Sequence, residues 1–159
     1  MSAYVSPQRS QDKFGWLYFI TALVALVGLA DALYLTVQHL TGQSLRCTII
    51  SGCSEVLSSS YAQIGSIPLA AVGAFAYFTV FSLALLAAFG YRFVRPLLAA
   101  LVGLMFLMTL WLLYLQAFVI RHFCQYCLLS AAVTIVLTVL VIVASRRHRP
   151  RPAVSEARP

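Results

Sequence analysis

The four cysteines of this chain form two pairs, and paired dithiols are a residue pattern that can carry out redox chemistry. Cys47 and Cys53 have five residues between them, whereas Cys124 and Cys127 form a CxxC motif. Two dithiols within reach of each other exchange disulfides when a thiolate attacks a disulfide sulfur. Whether the pairs meet depends on the segments that position them.

Those segments are strongly hydrophobic. Hydrophobic residues make up 62% of the chain and charged residues 9%, whereas about a quarter of the residues in soluble domains are charged. Four stretches each approach the roughly 20 residues that a helix needs to cross a bilayer. They run approximately over residues 16–40, 67–91, 94–120 and 124–144. We predict an all-α, four-helix transmembrane bundle over 16–144, preceded by a short segment 1–15 and followed by a basic tail 145–159.

The positive charges predict the orientation of the bundle. Nine of the eleven Lys and Arg residues lie before the first span, between the second and third, or after the fourth. Only Arg46 and Arg121 lie on the other side. Short loops rich in Lys and Arg stay cytoplasmic, so we predict an inner (plasma) membrane protein with both termini cytoplasmic and both cysteine pairs facing the periplasm. Topology thus explains the net charge of +7, and we expect no nucleic-acid partner.

The CxxC motif opens the fourth predicted span, directly after Arg121 and His122. A helix N-terminus and nearby positive charge both favour the reactive thiolate, and the periplasm permits disulfides. Redox chemistry is one interpretation of Cys124 and Cys127. A static disulfide and half of a metal site are the others, since CxxC occurs in both.

Cys47 and Cys53 lie in the longest predicted extramembrane loop, residues 41–66, where glycines and serines favour a flexible chain. Such a loop suits a dithiol that meets a soluble partner and then turns inward. The alternative is a local staple, which would contribute only about 2–3 kcal/mol. A zinc site built from all four thiols fits less well, because structural zinc sites use closer cysteine spacings and reduced thiolates. We predict no metal.

The wide pair, the segment Ser54–Ser59 that follows it, and the CxxC opening the last of four helices together resemble the vitamin K epoxide reductase family in its bacterial, quinone-reducing form. The resemblance implies that Cys124 and Cys127 are the redox centre beside a quinone, and that Cys47 and Cys53 are a shuttle pair. It further implies that Cys47 meets the external thiol protein, Cys53 exchanges with Cys124, and Cys127 contacts the quinone. Ser59 matches a serine in a half-helix that caps the site, so the loop is expected to contain a short helix near residues 54–60.

This chain also departs from the animal members of that family. Ala131 stands where they place a tyrosine, and an apolar residue around Leu69 stands where they place a quinone-binding asparagine. These differences argue against epoxide reduction. Many bacterial members carry a fused thioredoxin-like domain after the bundle, whereas here a basic tail follows. We therefore expect a separate periplasmic thioredoxin-like partner.

Asp31 is the only acidic residue within a predicted span, and ionisable residues inside a membrane suggest function. At about 1.5 Å per residue it lies roughly 22 Å along the first helix, at the level of the CxxC. It either delivers protons to the quinol or hydrogen-bonds within the bundle. Tyr34, Tyr61, Phe123 and Tyr126 are candidates for lining a quinone pocket, although such aromatics commonly serve as interfacial anchors.

The predicted function is a membrane thiol-disulfide oxidoreductase. It oxidises a thioredoxin-like protein, passes electrons through the two cysteine pairs to ubiquinone or menaquinone, and so supports disulfide bond formation. The alternative is a non-enzymatic membrane scaffold with two static disulfides.

Overall fold

The computed structural model describes residues 9–41, 63–64 and 67–147, with side chains for 15–41 and 67–146. Its elements, in chain order, are the helix α1 (Arg9–Leu40), the strands β1 (Gln63–Ile64) and β2 (Ile67–Pro68), and the helices α2 (Leu69–Ala88), α3 (Val94–Tyr114) and α4 (Gln125–Arg147). A π-helical segment, Leu115–Ile120, continues α3. The strands pair antiparallel, with Ile64 opposite Ile67, directly before α2.

Four helical spans in the described part of the chain are long and apolar enough to cross a membrane: Gly15–Leu40, Leu69–Ala88, Val94–Ile120 and Gln125–Arg146. The predicted all-α bundle is therefore confirmed. The boundaries differ in detail, because β2 occupies the residues predicted to open the second span. At the other end of the chain, α4 continues three residues beyond the predicted end of the fourth span, as far as Arg147.

A glycine turn ends α2 and reverses the chain into α3. Gly90 has a φ of 97°, a left-handed conformation that glycine adopts without steric cost. Its N–H donates to the Ala87 carbonyl, and the Tyr91 N–H donates to the Leu86 carbonyl, both at 3.2 Å. This is the hydrogen-bond pattern of a Schellman cap, which satisfies carbonyls at the end of a helix.

The core lies where α1 packs against α2 and α4, while α3 closes the bundle by contacting α2 and α4. Many of its buried residues are small, which allows close helix approach in a membrane. They include Ala22, Ala25, Ala84, Ala87 and Ala144. Gly28 of α1 lies directly against the Tyr77 ring of α2, so a β-carbon at this position would collide with that ring.

Candidate functional site

The CxxC motif lies where α4 begins, and Cys124 is the residue that caps this helix. Its carbonyl accepts the first intrahelical bond, from Leu128 N–H at 3.0 Å, and its side chain is fully buried. Cys124 and Cys127 are free thiols. A hydrogen bond from the Cys127 thiol, together with the backbone N–H groups of Cys127 and Tyr126, lowers the pKa of Cys124 to about 7 against the opposing effect of burial. Cys124 is therefore the better nucleophile of the pair near neutral pH.

The π-helical segment places a polar side chain next to this motif. Gln116 is buried, and its Oε1 accepts a hydrogen bond from the Cys124 backbone N–H at 3.2 Å. The segment ends at Arg121, which has a left-handed φ of 57°, a conformation that is uncommon for residues other than glycine. The chain is thus redirected between α3 and α4, and Gln116 binds a donor that the start of α4 leaves without an intrahelical acceptor.

A cavity of about 160 Å³ lies beside the CxxC. Most of its lining is apolar, and polar groups enter it from several helices. Asp31 comes from α1, Tyr77 from α2, Gln116 from the π-helical segment, and Tyr126 and Cys127 from α4. The described helices thus bring together residues that lie far apart in the sequence.

Tyr77 connects this cavity to the packing of the helices. Its hydroxyl donates to the Ser130 carbonyl at 3.0 Å and hydrogen-bonds to the hydroxyls of Ser130 at 2.8 Å and Thr134 at 2.9 Å. Gly28 on α1 supplies the room for its ring. The tyrosine therefore ties α2 to the turn of α4 that directly follows the CxxC.

Asp31 lies against the cavity as well, with 9% of its surface exposed. Its carboxylate opposes the thiolate form of Cys124 electrostatically and so raises the pKa of that cysteine. An acidic side chain near two thiols, inside an apolar bundle, is suited to exchanging a proton with whatever occupies the cavity.

Three of the residues singled out from the sequence therefore meet: Asp31, Cys124 and Cys127. Among the aromatic candidates, Tyr126 lines the cavity, and the Tyr34 ring lies 5.4 Å from the Tyr126 ring. Phe123 is instead 43% exposed.

Gln116 and Tyr77 line the cavity but were not singled out from the sequence. Gln116 carries the signal of an amide in an otherwise apolar span. Tyr77 carries no signal that separates it from an ordinary aromatic core residue. Leu69 and Ala131, the two apolar residues singled out from the sequence, both line the cavity.

Cys47, Cys53 and Ser59 lie outside the described residues, as do Tyr61 and the short helix predicted near residues 54–60. Their placement remains a prediction. Within the described ranges, no group of three or more His, Cys, Asp or Glu side chains could hold a metal ion. The four-cysteine zinc alternative is not tested by this observation, since half of its ligands lie outside those ranges.

The model of the Vitamin K epoxide reductase family matches residues 19–142. The matched range begins in α1, ends in α4 and contains every residue that lines the cavity.

Proposed function

The chain belongs to the vitamin K epoxide reductase family, which makes it a membrane oxidoreductase, and on that premise we propose that it couples oxidation of a thioredoxin-like protein to reduction of a quinone. The product outside the cytoplasm is a protein disulfide. Ubiquinone and menaquinone are the acceptors expected from the chemistry, because two electrons leaving a dithiol need a lipid-soluble carrier.

The observation that carries this proposal is the apolar cavity beside Cys127. In another protein, an apolar cavity of about 150 Å³ binds benzene, so about 160 Å³ has room for the quinoid ring that both kinds of quinone share. Ligand pockets for larger molecules usually measure about 300–1,000 Å³. The quinoid ring fits this space, and the rest of the molecule, including the isoprenoid tail, would extend toward the surrounding lipid.

The proposed reaction balances as a two-electron transfer. The partner's dithiol reduces the Cys47–Cys53 disulfide, Cys53 exchanges with Cys124, and the electrons then reside on Cys124 and Cys127. Each exchange breaks one disulfide and forms another. When bound, the quinone accepts two electrons and two protons to become a quinol, while Cys124 and Cys127 form a disulfide. The net change is dithiol plus quinone to disulfide plus quinol.

The described residues suit distinct parts of this reaction. Cys127 borders the cavity and is the thiol proposed to contact the quinone. Cys124, with its lowered pKa, is the thiolate that closes the disulfide with Cys127. Asp31 is proposed to supply a proton to the quinol from the same cavity. Ser59 is proposed, from the family resemblance, to bind the quinone from the predicted loop 41–66.

The proposed orientation places both termini in the cytoplasm and both cysteine pairs in the periplasm of a cell with an inner membrane. It rests on nine of the eleven Lys and Arg residues lying on one side. A reporter active only in the periplasm should be silent when fused at Pro159 and active when inserted near Gly42. The opposite pattern would place the thiols in a reducing compartment and contradict the function.

The activity is tested with purified protein in detergent, by following the absorbance of a soluble quinone as a reduced donor is supplied. A thioredoxin-like donor and a small membrane-permeant dithiol should both support quinone reduction by the wild-type protein. Cys47→Ala should lose activity with the protein donor and keep it with the small dithiol. Equal losses with both donors would contradict the shuttle role of Cys47, and no turnover with any quinone would favour the scaffold with static disulfides.

The relay between the pairs has a direct test. A mixed disulfide persists when the thiols that resolve it are absent. Replacing both Cys47 and Cys127 by Ala should leave a stable Cys53–Cys124 bond, visible in peptides mapped without reductant. Such a bond requires the two α-carbons to approach within about 7 Å. Free thiols at both positions under mild oxidation would show that the loop does not reach the CxxC.

A further inference from the structure

The polar groups of the cavity differ in whether their hydrogen-bonding capacity is already used. A quinone ring offers two carbonyl oxygens, which accept hydrogen bonds and donate none, so a site that orients the ring needs a donor. The Tyr77 hydroxyl is engaged by Ser130 and Thr134. The Tyr126 hydroxyl hydrogen-bonds with Tyr34. These groups are committed to the protein itself.

Gln116 places an amide NH₂ donor in the cavity beside the CxxC. Its Oε1 is bound by the Cys124 N–H at 3.2 Å, which fixes the amide and assigns the opposite end to the NH₂ group. Only 3% of the residue is exposed. Gln116 lines the cavity, so a ligand carbonyl there can accept a hydrogen bond from this NH₂ group.

The backbone around Gln116 supports the same assignment. Thr109, Leu112, Leu113 and Gln116 line the cavity at the spacing of one helix face. The chain changes from α to π geometry at Leu115, and π-helical turns occur frequently at functional sites. The change occurs where the amide must reach both the cavity and the start of α4.

From this geometry, we propose that Gln116 binds a quinone carbonyl through its side-chain NH₂ group while its Oε1 holds the backbone of Cys124. This assignment rests on the proposed quinone reduction. One side chain then links the ring to the CxxC backbone, so the ring is held beside Cys127. Gln116 would contact the substrate directly, whereas Tyr77 only positions the helix that carries the motif.

Thr109 is a competing donor on the same helix, because its hydroxyl also lines the cavity. It lies seven positions before Gln116, which corresponds to about 10 Å along a helix. A ring anchored at Thr109 would lie further from the CxxC than one anchored at Gln116. Thr109→Val therefore serves as the discriminating variant.

The experiment measures the KM for a short-tailed soluble ubiquinone and for menadione, with dithiothreitol as donor. Gln116→Met removes both hydrogen-bonding ends at similar volume, and Gln116→Glu keeps the acceptor for Cys124 N–H but lacks the NH₂ donor. We expect both variants to raise the KM about tenfold, the effect of losing one hydrogen bond of about 1.4 kcal/mol. Gln38→Met, the same change at a glutamine that does not line the cavity, should leave the KM unchanged.

A second measurement separates binding from turnover. In a Cys127→Ala background, which cannot complete the reaction, tryptophan fluorescence quenching by the ubiquinone reports its Kd, and Gln116→Glu should raise that Kd by a similar factor. If Gln116→Met does not fold, Gln116→Glu carries the test.

The outcomes distinguish the two proposals. If the wild-type protein reduces no quinone, the proposed function fails and the Gln116 assignment fails with it. If the wild-type protein is active and Gln116→Glu keeps the wild-type KM and Kd, Gln116 only supports the Cys124 backbone. A raised KM in Thr109→Val, with normal Gln116 variants, would move the carbonyl contact to Thr109.

Discussion

The two ends of the bundle are built from different chemistry. At the end where α4 begins, Asp31, Gln116 and Cys124 are buried around a cavity. At the opposite end, buried side chains such as Ala84, Leu98 and Ala144 form an apolar core. Apolar packing is sufficient to hold helices together in lipid, whereas buried ionisable groups are costly there. The contrast indicates that the first end is built for chemistry and the second for stability.

At the packed end, a buried polar side chain is satisfied within its own helix. The Thr21 hydroxyl donates to the Leu17 carbonyl at 2.8 Å. At the CxxC end, by contrast, hydrogen bonds cross between elements, as from Tyr77 to Ser130 and from Cys124 to Gln116. Substitutions at the two ends should therefore affect different properties.

The largest effect is expected for Cys127→Ala. Quinone reduction should fall below detection with every donor, because no disulfide can close with Cys124. The thermal stability of the bundle should change little, since the side chain borders a cavity. Quinone absorbance and thermal unfolding in detergent measure the two properties. Substantial turnover with Cys127→Ala would show that the chemistry lies elsewhere.

Within the apolar core, Leu137→Ala should produce the opposite result. Leu137 is fully buried, and such a change typically costs about 2–5 kcal/mol through lost contacts and the cavity left behind. The KM for quinone should remain normal in the folded fraction. Ile135→Ala, on a neighbouring side chain that is 46% exposed, is the matched control and should be nearly neutral. Equal destabilisation by both would mean that the apolar core does not lie where the structure places it.

Gly28→Ala should affect both properties, because Gly28 supports the Tyr77 ring. The added methyl group collides with that ring, and such overpacking typically costs about 1–3 kcal/mol. Displacing Tyr77 should also raise the KM, since Tyr77 lines the cavity. Gly103→Ala provides the control, because a β-carbon there meets no atom within 4 Å. A Gly28→Ala protein with wild-type stability and KM would refute the close packing of α1 against Tyr77.

The smallest effect concerns the pH dependence of Cys124. With its pKa lowered to about 7, alkylation of Cys124 should rise through a midpoint near pH 7, as mapped by mass spectrometry. Cys127→Ala removes the hydrogen bond and should move the midpoint up toward about 8.5, the ordinary cysteine value. Cys127→Ser keeps a hydrogen-bond donor and should shift the midpoint less.

The lowered pKa of Cys124 also affects the stability of the folded protein. Because the pKa of Cys124 is lower in the folded protein, the resulting stabilisation is present above the ordinary cysteine pKa and is lost as the pH falls through about 7.

An unchanged midpoint in Cys127→Ala would mean that the helix N-terminus, and not the neighbouring thiol, sets the pKa of Cys124. The comparison between the Ala and Ser variants thus separates the two causes.

The four helices can be predicted from hydropathy, because the length of each apolar span can be counted in the sequence. The level of Asp31 along α1 also follows from the rise per residue. The contact of Asp31 with the CxxC cannot be predicted in this way, because the rotation of α1 relative to α4 depends on packing such as that of Gly28 against Tyr77.

The contact between Gln116 and Cys124 could not be predicted from the sequence either. An amide within an apolar span is visible in the sequence, but its contact with Cys124 depends on the π-helical segment and on the left-handed Arg121. Neither feature follows from hydrophobic periodicity. The roles of Cys47, Cys53 and Ser59 rest on the family resemblance and stay predictions.

The central claim is that Cys124 and Cys127 alone pass two electrons to a quinone in the adjacent cavity. A single-turnover measurement on the Cys47→Ala/Cys53→Ala protein tests it most directly, because only the CxxC can then hold electrons. After reduction, removal of the reductant and anaerobic addition of ubiquinone, one quinol should form per protein, together with a Cys124–Cys127 disulfide. No quinol, or the same amount from a protein that also lacks Cys127, would contradict the account.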